Sequence, residues 1–213
     1  MTDLVIGLGK HAESGHSPDF TTVRKTYEKI LEFVKPEYVS DCKKTLESCL
    51  AKSSNSLERA KQKKEFVNEI RSETLAFSGE ILMSHIMSYI MKSNGIKSES
   101  VGFAMWPIIT DKNIESTNIL VSESSKKMEP LEALLKVNDV VSIGGCIGKT
   151  TTGIPTTYER GGSDRTAVDL GILFHKKYET AIDFEKDNSV VSADPKIISD
   201  YLDEVDQLSF NEA

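Results

Sequence analysis

The chain has 213 residues, enough to bury a sizeable core without disulfide or metal staples. Its 26 Lys and Arg stand against 33 Asp and Glu, a formal charge of -7 that argues against nucleic-acid binding and gives no attraction to anionic membranes. Aromatics at 7% and charged residues at 28% exclude a disordered chain and fit an ordinary globular one.

Residues 1–10 hold a short apolar run with the wrong length and flanks for a signal peptide. Residues 21–93, rich in Lys, Glu, Leu and Ile and poor in glycine, read as successive helices. Val23, Tyr27, Ile30, Leu31 and Val34 fall at helical spacing, and Pro36 ends that run or starts the next. Ser53-Ser54-Asn55-Ser56 is a turn signal, with Ser56 an N-cap candidate for a following helix. The strongest predicted helix covers residues 71–92, with Leu75, Leu82, Ile86, Tyr89 and Ile90 on one side, and Asn94-Gly95 stops it. The longest apolar stretch, 81–90, is interrupted by Ser84, His85 and Ser88 and spans no bilayer. His11, His16, His85 and His175 do not cluster, and His85 reads as a packed residue.

After Gly95 the pattern changes. Residues 100–105, 118–122, 140–144 and 180–184 read as strands, and 128–137 and 165–177 as helices between them. The expected fold class is therefore α/β: a mostly parallel sheet covered by helices on both faces, with residues 1–95 mainly helical and 96–213 forming the α/β part. Cys42, Cys49 and Cys146 lie at no metal-ligand spacing, so the expectation is free thiols, a reducing compartment and no metal site held by the protein. Without a leader or span, the expected location is cytoplasmic.

The densest glycine and hydroxyl cluster runs from Gly144-Gly145-Cys146-Ile147-Gly148, through Thr150-Thr151-Thr152-Gly153, to Arg160-Gly161-Gly162-Ser163-Asp164. It leads from the end of a predicted strand to the start of a predicted helix, where α/β sheets bind ligands and where free N–H groups suit an anion. Gly161 and Gly162 permit close backbone approach, and Arg160 offers a two-pronged donor for a carboxylate or phosphate. Ser163 and Asp164 either cap the helix or face the ligand. Gly148-Lys149-Thr150 is not a Walker A loop, because the glycine required five positions before the Gly-Lys pair is Ile143.

Gly-Cys-Ile-Gly at 145–148, Thr156-Thr157, Arg-Gly-Gly-Ser-Asp at 160–164 and the small-residue helix from Arg165 to Gly171 together resemble the aspartate kinase branch of the amino-acid kinase family. That branch carries Gly-Phe-Ile-Gly, a short loop, then Thr-Thr-Leu-Gly-Arg-Gly-Gly-Ser-Asp. Ser192-Ala193-Asp194-Pro195-Lys196 is similar to its Thr-Ala-Asp-Pro-Arg, Ser78-Gly79-Glu80 to its Ser-x-Gly-Glu, and Thr2-Asp3-Leu4 to the start of a helix after its first substrate loop. The resemblance is collinear and covers nearly the whole chain, as the central part of a catalytic domain.

The resemblance implies a three-layer α/β sandwich and transfer of the ATP γ-phosphate to the side-chain carboxylate of L-aspartate, with Mg2+ accompanying the nucleotide. It implies that Glu80 faces the aspartate amino group and that Arg160 and Ser163, around Gly161 and Gly162, hold its carboxylates. Asp164 beside them is the candidate catalytic carboxylate. The backbone at Gly145 and Gly148 would cradle phosphates, and Asp194, Pro195 and Lys196 would meet the nucleotide. L-Aspartate and ATP are the implied partners, with room for a homodimer or a companion kinase polypeptide. Read without the resemblance, Glu80 is an exposed helix carboxylate and Lys196 a solvated lysine.

The sequence departs from the branch in several places. The first-strand Lys-Phe-Gly-Gly-Thr does not occur. Residues 185–191 replace Thr-Asp-Val-x-Gly-x-Tyr, Glu159 replaces the glycine before the arginine, and Cys146 replaces a phenylalanine. One preorganised electrostatic group is worth about 10²–10³ in rate. The expectation is thus an incomplete kinase domain, a truncated or split gene product or a decayed paralogue, with its activity alone in question. The alternative is a non-catalytic aspartate-binding or regulatory paralogue.

Overall fold

The structure, a computed structural model, describes residues 2–159 and 161–185. The chain divides into two units, Met1–Thr180 and Ala181–Ala213, and every helix and strand described lies in the first.

The first half is helical as expected. Helix α1 covers Thr2–Glu13 and α2 covers Thr21–Ile30, where Val23 and Tyr27, four residues apart, form the buried stripe. A 3₁₀ turn, Leu31–Phe33, leads to α3, Pro36–Lys63, with Pro36 in the first turn, where a missing N–H costs nothing. Helix α3 continues through Ser53-Ser54-Asn55-Ser56, so the expected turn and the Ser56 cap do not form. Ser53 and Ser56 face inward with Leu46, Leu50, Leu57 and Ala60. Their hydroxyls donate to the carbonyls of Thr74, at 3.2 Å, and Lys52, at 3.0 Å. A serine whose hydroxyl is satisfied in this way does not compete with the helix backbone, and the apolar stripe decides.

The predicted helix over 71–92 is present in three pieces: α4, Asn68–Leu75; a π turn, Ala76–Glu80; and α5, Ile81–Ser93. Gly95, at φ +82°, follows the end of α5 as its sequence signal requires.

The second half contains less strand than its apolar runs suggest. Strand β1, Ser98–Ser100, pairs in parallel with β3, Val140–Ser142, and β2, Ile109–Thr110, pairs in parallel with β4, Ile147–Thr150. Strand β5, Pro155–Thr157, runs antiparallel to β4. The run at 100–105 is not a strand: beyond Ser100 the chain enters a 3₁₀ turn, Phe103–Met105, that delivers Val101 and Trp106 to the core, each fully buried. The run at 118–122 contributes one antiparallel bridge, Ile119 to Thr110, before α6, Val121–Ser125. Residues 180–184 form no strand, since an apolar run needs a neighbouring edge to take its backbone hydrogen bonds. Helix α7, Glu129–Val137, and α8, Gly162–His175, match the predicted helices to within three residues at either end.

Two cores result. One, centred on Leu46, Leu57, Leu82 and Ile86, joins α1, α2, α3 and α5. The other, centred on Ile81, Trp106, Ile108 and Ile147, joins the π turn to the strands and α8.

Candidate functional site

The π turn lies between the two cores and presents Glu80. A π turn loosens the local hydrogen-bond ladder and is common at functional sites. Here the Tyr27 hydroxyl answers it, donating to the Ser78 carbonyl at 2.8 Å and reaching the Gly79 carbonyl at 3.3 Å. Burial pushes the Tyr27 phenol well above its ordinary range.

Glu80 is half-buried rather than exposed, and its carboxylate accepts the backbone N–H of Gly145. Burial raises the Glu80 pKa, and the Gly145 hydrogen bond opposes the rise. The glycines at 144 and 145 make this approach possible. A Cβ on Gly144 would lie 2.8 Å from the Glu80 carbonyl oxygen, and one on Gly145 would lie 2.7 Å from Ser163 Oγ. Gly144-Gly145 therefore stitches Glu80 on one side to Ser163 on the other.

Ser163 stands in the first turn of α8, whose preceding residue, Gly161, has φ +81°. The N-cap position is held by Gly161, so neither Ser163 nor Asp164 is the N-cap. The left-handed turn at Gly161 starts the helix in place of a capping side chain. Gly162 packs against Cys146 and Tyr158, the distances from its ideal Cβ being 2.6 Å to Sγ and 2.7 Å to the Tyr158 Cβ. Cys146 takes φ +62°, a left-handed conformation unusual for a side-chain-bearing residue, and its N–H donates to Thr166 Oγ1 at 2.9 Å. Burial pushes its thiol up. Tyr158 pins α8 from beneath: its hydroxyl donates to Asp169 Oδ2 at 2.6 Å, and Arg165 lies 5.0 Å from its ring centre.

Beside these residues opens a cavity of about 450 Å³, lined among others by Thr2, Arg71, Glu80, Glu115, Cys146 and Glu159. Arg71 Nη1 pairs with Glu115 Oε1 at 2.6 Å, and Ser116 Oγ donates to Glu159. Gly148 lies elsewhere, buried in β4 between Thr110 and Thr156, where packing accounts for the glycine. The Lys149 and Thr150 that follow belong to the same strand, so no phosphate loop exists there. His85 is a packed residue that hydrogen-bonds Ser100 Oγ. Among the described residues, no group of three or more His, Cys, Asp or Glu side chains could hold a metal ion.

Of the residues expected at the site, Glu80, Gly145, Gly162, Ser163 and Asp164 are brought to the junction of the π turn, the glycine segment and the start of α8. Arg160, Asp194, Pro195 and Lys196 lie outside the described residues. Sequence reasoning gave no role to Thr2, Arg71, Glu115 or Tyr158. Arg71 and Glu115 carry no local signal, being 44 residues apart.

The sequence profile described as the amino acid kinase family matches residues 21–213. The chain belongs to the amino acid kinase family. Within it, similar relatives are Aspartokinase 1 of Bacillus subtilis (strain 168), 33% identical over 130 residues, and the Aspartokinase of Rickettsia felis, 33% identical over 124 residues. These matches cover 60% and 57% of the chain and 30% and 29% of the two relatives' own lengths. The expected resemblance to the aspartokinase branch is borne out, for part of the kinase. The fold of this family member is similar to that of E. coli aspartokinase III solved with aspartate and ADP, at a TM-score of 0.78 and 20% identity, over 96% of this chain and 44% of that one. Against the same enzyme solved with lysine and aspartate the TM-score is 0.73, over 97% of this chain and 45% of that one. No described helix is long and apolar enough to cross a membrane.

Proposed function

We propose that this member of the amino acid kinase family is an aspartate kinase-type chain. In that reaction a side-chain carboxylate oxygen of L-aspartate bonds to the γ-phosphorus of ATP, the bond to the β-phosphate oxygen breaks, and 4-phospho-L-aspartate and ADP leave. This is the first step toward lysine, threonine and methionine. One observation carries the reading: Glu80, Gly145 and Ser163 meet at one junction, and of these Glu80 lines a cavity of about 450 Å³. The aspartate and ADP held by a structural neighbour, and the family of the matched relatives, agree with it.

In this reading Glu80 takes the ammonium group of L-aspartate, and Ser163 and Arg160, on either side of Gly161 and Gly162, take its carboxylates. Asp164 stands beside the reacting carboxylate. Gly145 lies against the phosphoryl end, while Asp194, Pro195 and Lys196 contact ATP. Mg2+ would arrive on the nucleotide phosphates, as this ion commonly does. Residues 1–213 would form an incomplete amino-acid kinase domain, helical over 1–95 and α/β over 96–213, within a three-layer sandwich. It would work in the cytoplasm as a homodimer or with a companion kinase polypeptide.

The test is aspartate-dependent ADP release, with the acyl phosphate trapped by hydroxylamine, for the chain alone and with a segment carrying the family's Lys-Phe-Gly-Gly-Thr strand. ADP release in either form supports the proposal; its absence in both rejects it. Glu159 favours a second reading, since it places a carboxylate at the cavity where the pattern has glycine. A non-catalytic aspartate-binding or regulatory chain would show a calorimetric signal with L-aspartate and none with ATP.

A further inference from the structure

A second hollow, of about 590 Å³, lies where the β4–β5 hairpin meets the 3₁₀ turn Phe103–Met105 and the connection from α6 to α7. Its apolar side includes Met105, Trp106, Ile109 and Pro130, and its polar side includes two lysines, Lys127 and Lys149. Thr150, Thr151 and Thr152 complete the hairpin side of the lining.

Lys149 is fixed in place. Its ammonium donates to the carbonyls of Phe103, at 3.1 Å, and Ala104, at 2.9 Å, and lies 5.6 Å from the Phe103 ring centre. An ammonium has three N–H donors, so one remains after these two. No ion pair joins Lys149 or Lys127 to a carboxylate among the described residues. Glu123, which also lines the hollow, is paired with Lys126 at 2.7 Å. Burial first, and then the Lys127 charge, push the Lys149 ammonium below the usual lysine range, so the two cations are close enough to oppose each other. Like charges held together in a part-desolvated hollow are relieved by an anion between them.

We propose that this hollow is a second small-molecule site, for an anionic group, phosphate or carboxylate, carried on a compact apolar body. The anion sits between Lys127 and Lys149, and the apolar part lies against Met105 and Pro130. The site is separate from the Glu80 cavity and holds whatever the fate of the kinase reading.

Trp106 is the chain's single tryptophan, so its fluorescence reports this hollow directly. The full chain is titrated with phenyl phosphate, phenylacetate and neutral benzyl alcohol. The expected result is a saturable change in Trp106 emission with at least one anion, at an affinity about tenfold or more above that for benzyl alcohol. Whichever anion binds more tightly identifies the phosphate or carboxylate source. Lys127→Ala, at an exposed position with no ion-pair partner among the described residues, should weaken the anion about tenfold and leave benzyl alcohol unchanged. Equal binding of the neutral compound, or an anion affinity unaltered in Lys127→Ala, would overturn the proposal.

Discussion

The helical core around Leu46 and Ile86 and the mixed core around Trp106 and Ile147 draw on the same aliphatic residue types, yet they do different work. The first is a set of long helices with regular stripes and serines turned inward. The second is held by short strands and loops, and its polypeptide turns left-handed at Cys146, Gly153 and Gly161. The candidate site lies where they meet, next to a helix that serves both. Ile81 packs in the mixed core and its neighbour Leu82 in the helical one. The difference teaches that regular packing supplies rigidity, while irregular backbone at the seam supplies the close approaches a binding site needs.

The largest test of that division is to empty each core in turn. Ile81→Ala and Leu82→Ala should each cost about 2–5 kcal/mol, since both side chains are nearly fully buried. Because one helical run feeds both cores, urea unfolding should remain a single transition. Trp106 fluorescence, reporting the mixed core, and far-ultraviolet circular dichroism, weighted to the helices, should coincide in both variants. Two separated transitions would show the cores to be independent.

Next in size is Gly145→Ala, which attacks the seam itself. The added methyl group meets Ser163 Oγ at 2.7 Å and the Ser163 Cα at 2.9 Å, and a backbone atom at the front of a helix cannot step aside as a flexible side-chain end would. The expected cost is about 1–3 kcal/mol. Loss of calorimetric binding of L-aspartate should exceed what that destabilisation explains, because the same residue gives its N–H to Glu80. Unchanged binding would detach the glycine segment from the ligand.

Tyr27→Phe carries the comparison into the helical core. Its hydroxyl is the link from that core to the π turn, and removing it leaves the buried Ser78 carbonyl without that donor, for about 1 kcal/mol or somewhat more. If the helical core takes part in shaping the site, ligand affinity should fall with stability. A stability loss at constant affinity would confine Tyr27 to packing.

Much of this arrangement was legible in the sequence, and the misses share a cause. Helices α7 and α8 and the stop at Gly95 follow from periodicity and glycine placement, which are local. The family pattern singled out Glu80 and Ser163 as candidates, and the close packing of Gly145 against Ser163 accounts for the glycine the pattern has at that position. The π turn was hidden, because Ala76 to Glu80 carries the same periodicity as an ordinary helix and only the Tyr27 contact, 51 residues away in sequence, reveals it. The serines of α3 misled for a similar reason: Ser53 has its partner on α4. Strands failed where two or three residues suffice, as in β2, and where apolar residues such as Trp106 are delivered by a turn.

The smallest effect on stability, and the most discriminating for the seam, belongs to Glu80→Gln. Burial raises the Glu80 pKa, so the folded chain holds this proton more tightly than the unfolded one. Stability therefore declines as pH climbs from the ordinary carboxyl value of 4.5 through the raised folded value, and the penalty persists above it. Glutamine has no such titration and keeps an amide oxygen to accept the Gly145 N–H. Below pH 4.5 the variant and the parent should unfold at the same urea concentration, whereas at pH 7 the variant should be slightly the more stable. Its affinity for L-aspartate at pH 7 should fall about tenfold or more, because the ammonium loses a charged partner. A variant less stable than the parent at pH 7 would mean that Glu80 is held by a favourable charge interaction within the protein, and the seam would then be a structural joint with no carboxylate kept for a ligand.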